Sequence, residues 1–250
     1  MCSGTSKRKW TDTMDRAIRI QCYQELANYR KPSSFIIKET FPLPPYSTVL
    51  GMIHAVCGFK EFHPMKLSIQ GTNNGMVSEL YTRYSFTPGG KFDKTRHQIC
   101  IKDDKEYGIF KGIANVELIC ENRMVIHVVP SDDDFDMVYH ALCKPQRYPS
   151  LGRYEDMLDI ERVDIVGLEK SDEAFTEMDI YVPVDSDADT EGTMTTIYTL
   201  TKEYEITKKG IRRWKAEGGK IKAKLFPANE SIGNVYVDDF SDHGTVVVLA

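Results

Sequence analysis

The sequence predicts an α+β protein built on a ferredoxin-like core, and three observations carry that prediction. Hydrophobic periodicity runs strand, helix, strand, strand, helix, strand through the first two thirds of the chain, the β-α-β-β-α-β order. A basic, aromatic and alternating stretch at about residues 75–108 interrupts that order as an inserted hairpin, a thumb. After Glu169 the texture changes to short alternating runs between acidic loops, with no convincing helix. The chain therefore divides into residues 1–169 and a small β-rich C-terminal domain, 170–250.

Each element has its own signature. In RAIRIQCYQE, Arg16 to Glu25, Ile18, Ile20 and Cys22 alternate, as in a half-buried strand. In FPLPPYSTVLGMIHAVCGF, Phe41 to Phe59, Pro45 suits a first helical position, Val49, Ile53 and Val56 share one face, and Gly58 is a stop. Lys66 to Ile69 reads as a short strand. Leu80, Thr82, Tyr84 and Phe86 alternate through the next, and Pro88 to Gly90 is expected to turn the chain back. Gly112 to Val129 reads as two strands joined at Glu121-Asn122-Arg123. DDDFDMVYHALCKP opens with aspartates suited to a helix N-terminus and closes before Pro145. Asp159 to Glu169 completes the core. DIYVPV, TMTTIYTLTKEYEI, KIKAKLF, NVYV and GTVVVLA are the strands of the last third.

Composition narrows the function classes. With 250 residues, 41% hydrophobic and 28% charged, the chain can bury a core without staples. No apolar run approaches the roughly 18 residues of a membrane span. The N-terminus is basic but lacks a signal peptide's apolar core, so the expected location is cytoplasmic. The six cysteines are scattered without a CxxC pair and read as reduced, mostly buried thiols. Net charge −5 argues against a simple nucleic-acid binder. The basic residues nevertheless cluster, in Arg30-Lys31, Arg83 to Lys111 and Lys208 to Lys215, so an acidic chain can carry a basic groove.

Several side chains are candidates for contact with nucleic acid. The helix opening at Pro45 offers backbone N–H groups and the hydroxyls of Tyr46, Ser47 and Thr48 to an anion, with simple capping by Ser47 or Thr48 as the alternative. Gly51 would let this helix lie close against a strand. Arg30 and Lys31 follow the first strand and could reach the same phosphates. The thumb interleaves Tyr81, Arg83, Tyr84, Lys91, Phe92, Lys94, Arg96 and His97, supplying cations for phosphates and flat rings for unstacked bases. KGIANVEL, beginning at Lys111, follows the skeleton of an RNP1 box without its aromatics and reads as a sheet strand with a basic start. His54, Cys57 and His63 lack further ligands for a zinc set, so neither metal nor cofactor is expected.

ANYRKP at Ala27 to Pro32, ETFPLPPYSTVLGMIHAVCGF at Glu39 to Phe59 and LGRYEDM at Leu151 to Met157 together resemble the CRISPR-associated Cas-five family of the RAMP superfamily, in its type I-B version. The resemblance implies a non-catalytic subunit of the Cascade ribonucleoprotein of antiviral defense, which binds the 5′ handle of crRNA and caps the backbone filament. Its partners would be a Cas-seven-type backbone subunit and a Cas-eight-type large subunit, with target DNA near the protospacer-adjacent motif a further candidate. Arg153, in the third block, and Lys111 join the expected RNA-binding set. Two alternatives stay open. One is a metal-independent endoribonuclease acting on repeat RNA through Tyr46, Lys94 and His97. The other is a protein–protein adaptor, suggested by the acidic C-terminal region.

Overall fold

Alternation puts Ile18, Ile20 and Cys22 on one face of β1 (Arg16–Ala27), and Ala17 and Arg19 are buried on the other. The chain continues through β2 (Ile37–Lys38), α1 (Tyr46–Cys57), β3 (Met65–Thr72), β4 (Met76–Lys91), β5 (Ile99–Lys102), β6 (Glu106–Pro130), α2 (Asp132–Cys143) and β7 (Asp159–Phe175). The computed structural model describes residues 16–34, 36–207, 211–241 and 244–250. The basic N-terminal stretch, Cys2 and the Lys208 end of the last basic run lie outside the described residues.

Strands β7, β1, β6 and β3 lie side by side in that order, each antiparallel to its neighbour. With β4 and β5 taken as an insertion, this mixed α+β order is consistent with a ferredoxin-like fold. Both helices contribute to one buried cluster on the sheet: Val49, Ile53 and Val56 of α1 and Phe135, Val138 and Leu142 of α2 join Ile18, Ile20, Leu67, Ile126 and Val128. Gly58, at φ 72°, ends α1 in the left-handed conformation that glycine tolerates, its N–H bonded to the His54 carbonyl. Asp132, Asp133 and Asp134 occupy the first turn of α2, where the helix dipole favours negative charge.

The last third adds β8 (Asp179–Pro183), β9 (Thr196–Thr201), β10 (Tyr204–Ile206), β11 (Arg212–Trp214), β12 (Lys220–Phe226), β13 (Ser231–Asp238) and β14 (Val246–Val247). β8 extends the sheet beyond β3 and is followed by β12 and β9, whereas β13 and β14 extend it beyond β7. β10 and β11 form a separate two-stranded ribbon. Residue 170 lies inside β7. No helix among the described residues is long and apolar enough to cross a membrane.

Several local expectations are corrected. Gly112 to Val129 lies within one strand, β6, which passes Glu121 at φ 50° without ending. Pro88 to Gly90 does not reverse the chain: β4 runs on to Lys91 with a register shift after Phe86. A turn at Asp93–His97, where the amides of Arg96 and His97 both bond the Asp93 carbonyl, leads into β5. The reversal comes between β5 and β6, where Lys102 pairs with Glu106 and the Asp103 amide bonds the Lys105 carbonyl. Pro45 is the N-cap of α1 rather than its first residue, and no side chain caps the helix. Of the five cysteines described, all free, only Cys22 is fully buried, and Cys143 is exposed.

Gly51 is not pressed against strand backbone. A Cβ there would meet only the Arg212 guanidinium at 3.6 Å, an ordinary contact with the end of a flexible side chain. Gly51→Ala should therefore stabilise the protein by about 0.5–1 kcal/mol, raising Tm by roughly 1–4 °C in a thermal melt. A fall in Tm would show that α1 is packed more tightly than this distance implies.

Candidate nucleic-acid interface

The LGRYEDM loop is fastened to the end of β1 by a buried carboxylate. Asp156, 2% exposed, accepts the backbone N–H of Asn28 at 3.0 Å and that of Arg153 at 2.8 Å, and it pairs with the Arg153 guanidinium at 2.6 Å. Gly152, at φ 112°, must be glycine: a Cβ would stand 2.8 Å from the Asp156 carboxylate and 2.9 Å from the Asn28 carbonyl. Beneath it, Gln24 donates to the carbonyls of Leu151 and Asp156 and accepts from the Tyr29 hydroxyl at 2.6 Å. Asn28 in turn donates to the carbonyls of Lys38 and Glu117, tying β1 to β2 and β6. This polar network is satisfied mostly by backbone groups, which fixes the loop geometry firmly.

One cleft of about 310 Å³ opens above this network. Asn28, Arg30 and Pro32 line it from the first block, Pro45, Ser47 and Thr48 from the second, and Gly152 and Arg153 from the third. Lys38 lines it from β2, and Thr199, Thr201 and Trp214 close it from the C-terminal third. Lys38 stands 4.4 Å from the Tyr81 ring at the root of the thumb. Burial, and then the positive fields of Arg30, Arg83 and Arg153, hold the Lys38 ammonium below the usual lysine range. Four cations thus share one neighbourhood, which an anion would relieve.

The expected residues fall into distinct groups. Arg30 lines the cleft exposed, Thr48 and Arg153 line it with partial exposure, and Ser47 lines it nearly buried, its hydroxyl bonded to that of Thr201 at 2.6 Å. Tyr46 is a correction: its ring is wholly buried, 6.1 Å from that of Tyr181, and its hydroxyl faces the interior without a hydrogen-bond partner. It offers no hydroxyl to a surface ligand. Lys31 is drawn instead to Glu39 at 3.5 Å and does not line the cleft.

The thumb residues spread along a ribbon. Lys38 pairs in register with Val116, and Lys91 with Tyr107, so the tip lies about 30 Å from the cleft along β6. Lys91, Lys94 and Arg96 are exposed near the tip. Arg83 pairs with Gly112 and Lys111 with Tyr84, which puts Arg83 and Lys111 on opposite faces of the ribbon. His97 helps to build the tip: its Nδ1 accepts the Asp93 amide at 2.9 Å, and its ring fills the space that a side chain at Gly108 would need. Tyr46, Lys94 and His97 therefore do not converge. Among the described residues, no three His, Cys, Asp or Glu side chains gather as metal ligands.

Three contributors escaped the sequence reading. Lys38 is a third basic residue just beyond Arg30-Lys31, but only the pairing of β2 with β6 shows that it faces the same cleft. Asp156 stood inside a quoted block without an assigned role. Trp214 lies in the last basic run, and the interleaving of an aromatic with cations that marked the thumb was present there too.

The chain thus combines a large sheet bearing two helices on one face, a projecting ribbon and a cationic cleft at its root. Residues 17–215 match the family described as "CRISPR-associated protein (Cas_Cas5)", and the chain belongs to that family. No curated protein matches the sequence. Among solved structures, a chain of a "CRISPR RNA-guided surveillance complex" is similar, with 15% identity, a TM-score of 0.52, and coverage of 86% of this chain and 91% of that one. A second, described as a CRISPR protein from Archaeoglobus fulgidus, shows 11% identity, a TM-score of 0.49, and coverage of 94% and 98%. At 15% identity the first likeness is one of fold.

Proposed function

We propose that this protein is a non-catalytic, RNA-binding subunit of a type I-B-like effector complex, holding the 5′ handle of crRNA and capping the filament beside Cas-seven-type and Cas-eight-type neighbours. One observation carries the reading: three separate sequence blocks meet at one cleft where Arg30, Lys38 and Arg153, with Arg83 close by, concentrate positive charge on a chain of net charge −5. Fold likeness to a member of an RNA-guided surveillance complex supports it. The nuclease alternative has no comparable support, because Tyr46 is buried and His97 is committed to the thumb tip.

Phosphate contacts give binding a measurable salt dependence, with a slope of about −0.7 per contact on single strands. The Arg30→Ala, Lys38→Ala double variant should lower the slope for handle RNA by about 1.4 in a fluorescence-anisotropy titration across salt concentrations. An unchanged slope and affinity would remove the cleft from the RNA path.

A further inference from the structure

The cleft contains one group that a simple phosphate site would not need. Trp214 stands in its wall with 39% of its surface exposed. The ribbon of β10 and β11 is secured to α1 by other side chains. Tyr204, the register partner of Trp214, is buried against His54 and Phe62. Arg212 lies over the Tyr204 ring at 4.1 Å. Lys215 pairs with Glu203 at 2.7 Å and lies 4.5 Å from the Phe62 ring. The indole is thus a broad apolar surface left partly in water, among hydroxyls (Thr199, Thr201) and cations.

We propose that the cleft takes one whole nucleotide of single-stranded RNA, with its unpaired base stacked on the Trp214 indole and its phosphate held by Arg30, Lys38 and Arg153. Stacking on an indole accepts any base, because every base has a π-face, whereas the cations answer only to the phosphate. The two halves of the site come from distant parts of the chain. The C-terminal third therefore takes part in RNA binding, in addition to any protein contacts its acidic loops make. The inference rests on the RNA-binding reading above and adds to it the way in which the strand is gripped.

The chain has two tryptophans, so a Trp10→Phe background leaves Trp214 as the sole indole reporter. Titrating the full-length protein with a single-stranded RNA of about ten nucleotides should quench its fluorescence. Trp214→Leu should weaken binding roughly 5- to 150-fold with the salt slope unchanged, and Trp214→Phe should restore most of the affinity. RNA carrying an abasic site at the bound position should bind the unaltered protein as weakly as normal RNA binds the leucine variant. If RNA binds with the expected salt slope but neither quenches the indole nor responds to Trp214→Leu, stacking is refuted while the RNA reading stands. If the unaltered protein binds no RNA at all, both fall.

Discussion

Asp156→Ala should lower stability by about 3–5 kcal/mol, or roughly 6–20 °C in Tm, and abolish RNA binding by whatever protein remains folded. The carboxylate serves three donors at once: the amides of Asn28 and Arg153 and the Arg153 guanidinium. Removing it leaves the buried Asn28 N–H without an acceptor, at about 1–3 kcal/mol, and leaves the partly buried Arg153 N–H unpaired as well. It also deprives the Arg153 guanidinium of the buried one of its two carboxylates, the other being Glu155. Asp156→Asn should cost less, since an amide oxygen can still accept one of the backbone donors. Circular-dichroism melts of both variants beside RNA titrations at low temperature would separate loss of fold from loss of site. If Asp156→Ala melts with the unaltered protein, the loop is not anchored as described.

Asp238→Ala should be comparably damaging, and it exposes a pH dependence of the fold. On the sheet face opposite the helices, Asp238 lies 3.2 Å from the Arg19 Nε and accepts the His127 Nε2–H at 2.8 Å, all three side chains being buried. Losing the carboxylate strands a buried guanidinium, which typically costs about 3–5 kcal/mol. Burial holds the His127 imidazole below its ordinary range, although Asp238 acts against that, and burial does the same to His54. As pH falls below about 6.5, the unfolded chain binds protons that these two histidines refuse in the folded state, so stability falls. For Asp238, burial alone would raise the carboxyl, but the hydrogen bond from His127, with the Thr245 amide and the Arg19 charge, holds it below the usual range. Its contribution persists until pH falls through that depressed value. Tm should thus drop between pH 8 and pH 5.5, and His127→Gln should shrink the drop without removing it, since His54 remains. A Tm flat across that interval would contradict the assignment of both rings as neutral.

How much of this was legible depends on which contacts set each residue's environment. The order of core strands and helices could be read because Ile18, Ile20 and Cys22 or Val49, Ile53 and Val56 repeat with the period of their own element. Glu121-Asn122-Arg123 misled because a polar triplet ordinarily marks a turn. Here Asn122 is buried and donates to the Tyr29 hydroxyl at 2.9 Å, while Arg123 reaches Glu161 at 3.2 Å, partners that lie far away in the chain. Tyr46 misled for the reverse reason: a tyrosine among hydroxyl residues at a helix start reads as surface, yet the helix turns it inward. Of the candidate site, the blocks containing Arg30, Thr48 and Arg153 were legible as motifs. Their meeting with Lys38 and Trp214 was not, because it depends on β2 pairing with β6 and on the late ribbon folding back over α1.

β6 is both the inner stave of the sheet and the spine of the projecting ribbon. Glu121, at φ 50°, falls where the two roles meet. The fifteen or so residues from there to Glu106 form an arm of about 50 Å. A rotation of only 5° at that joint would sweep the far end through about 4 Å, the span of roughly one residue along an extended chain. Substitutions at Glu121, remote from the cations of the thumb, would therefore act as an aiming adjustment, choosing where along a bound strand the distant lysines come down.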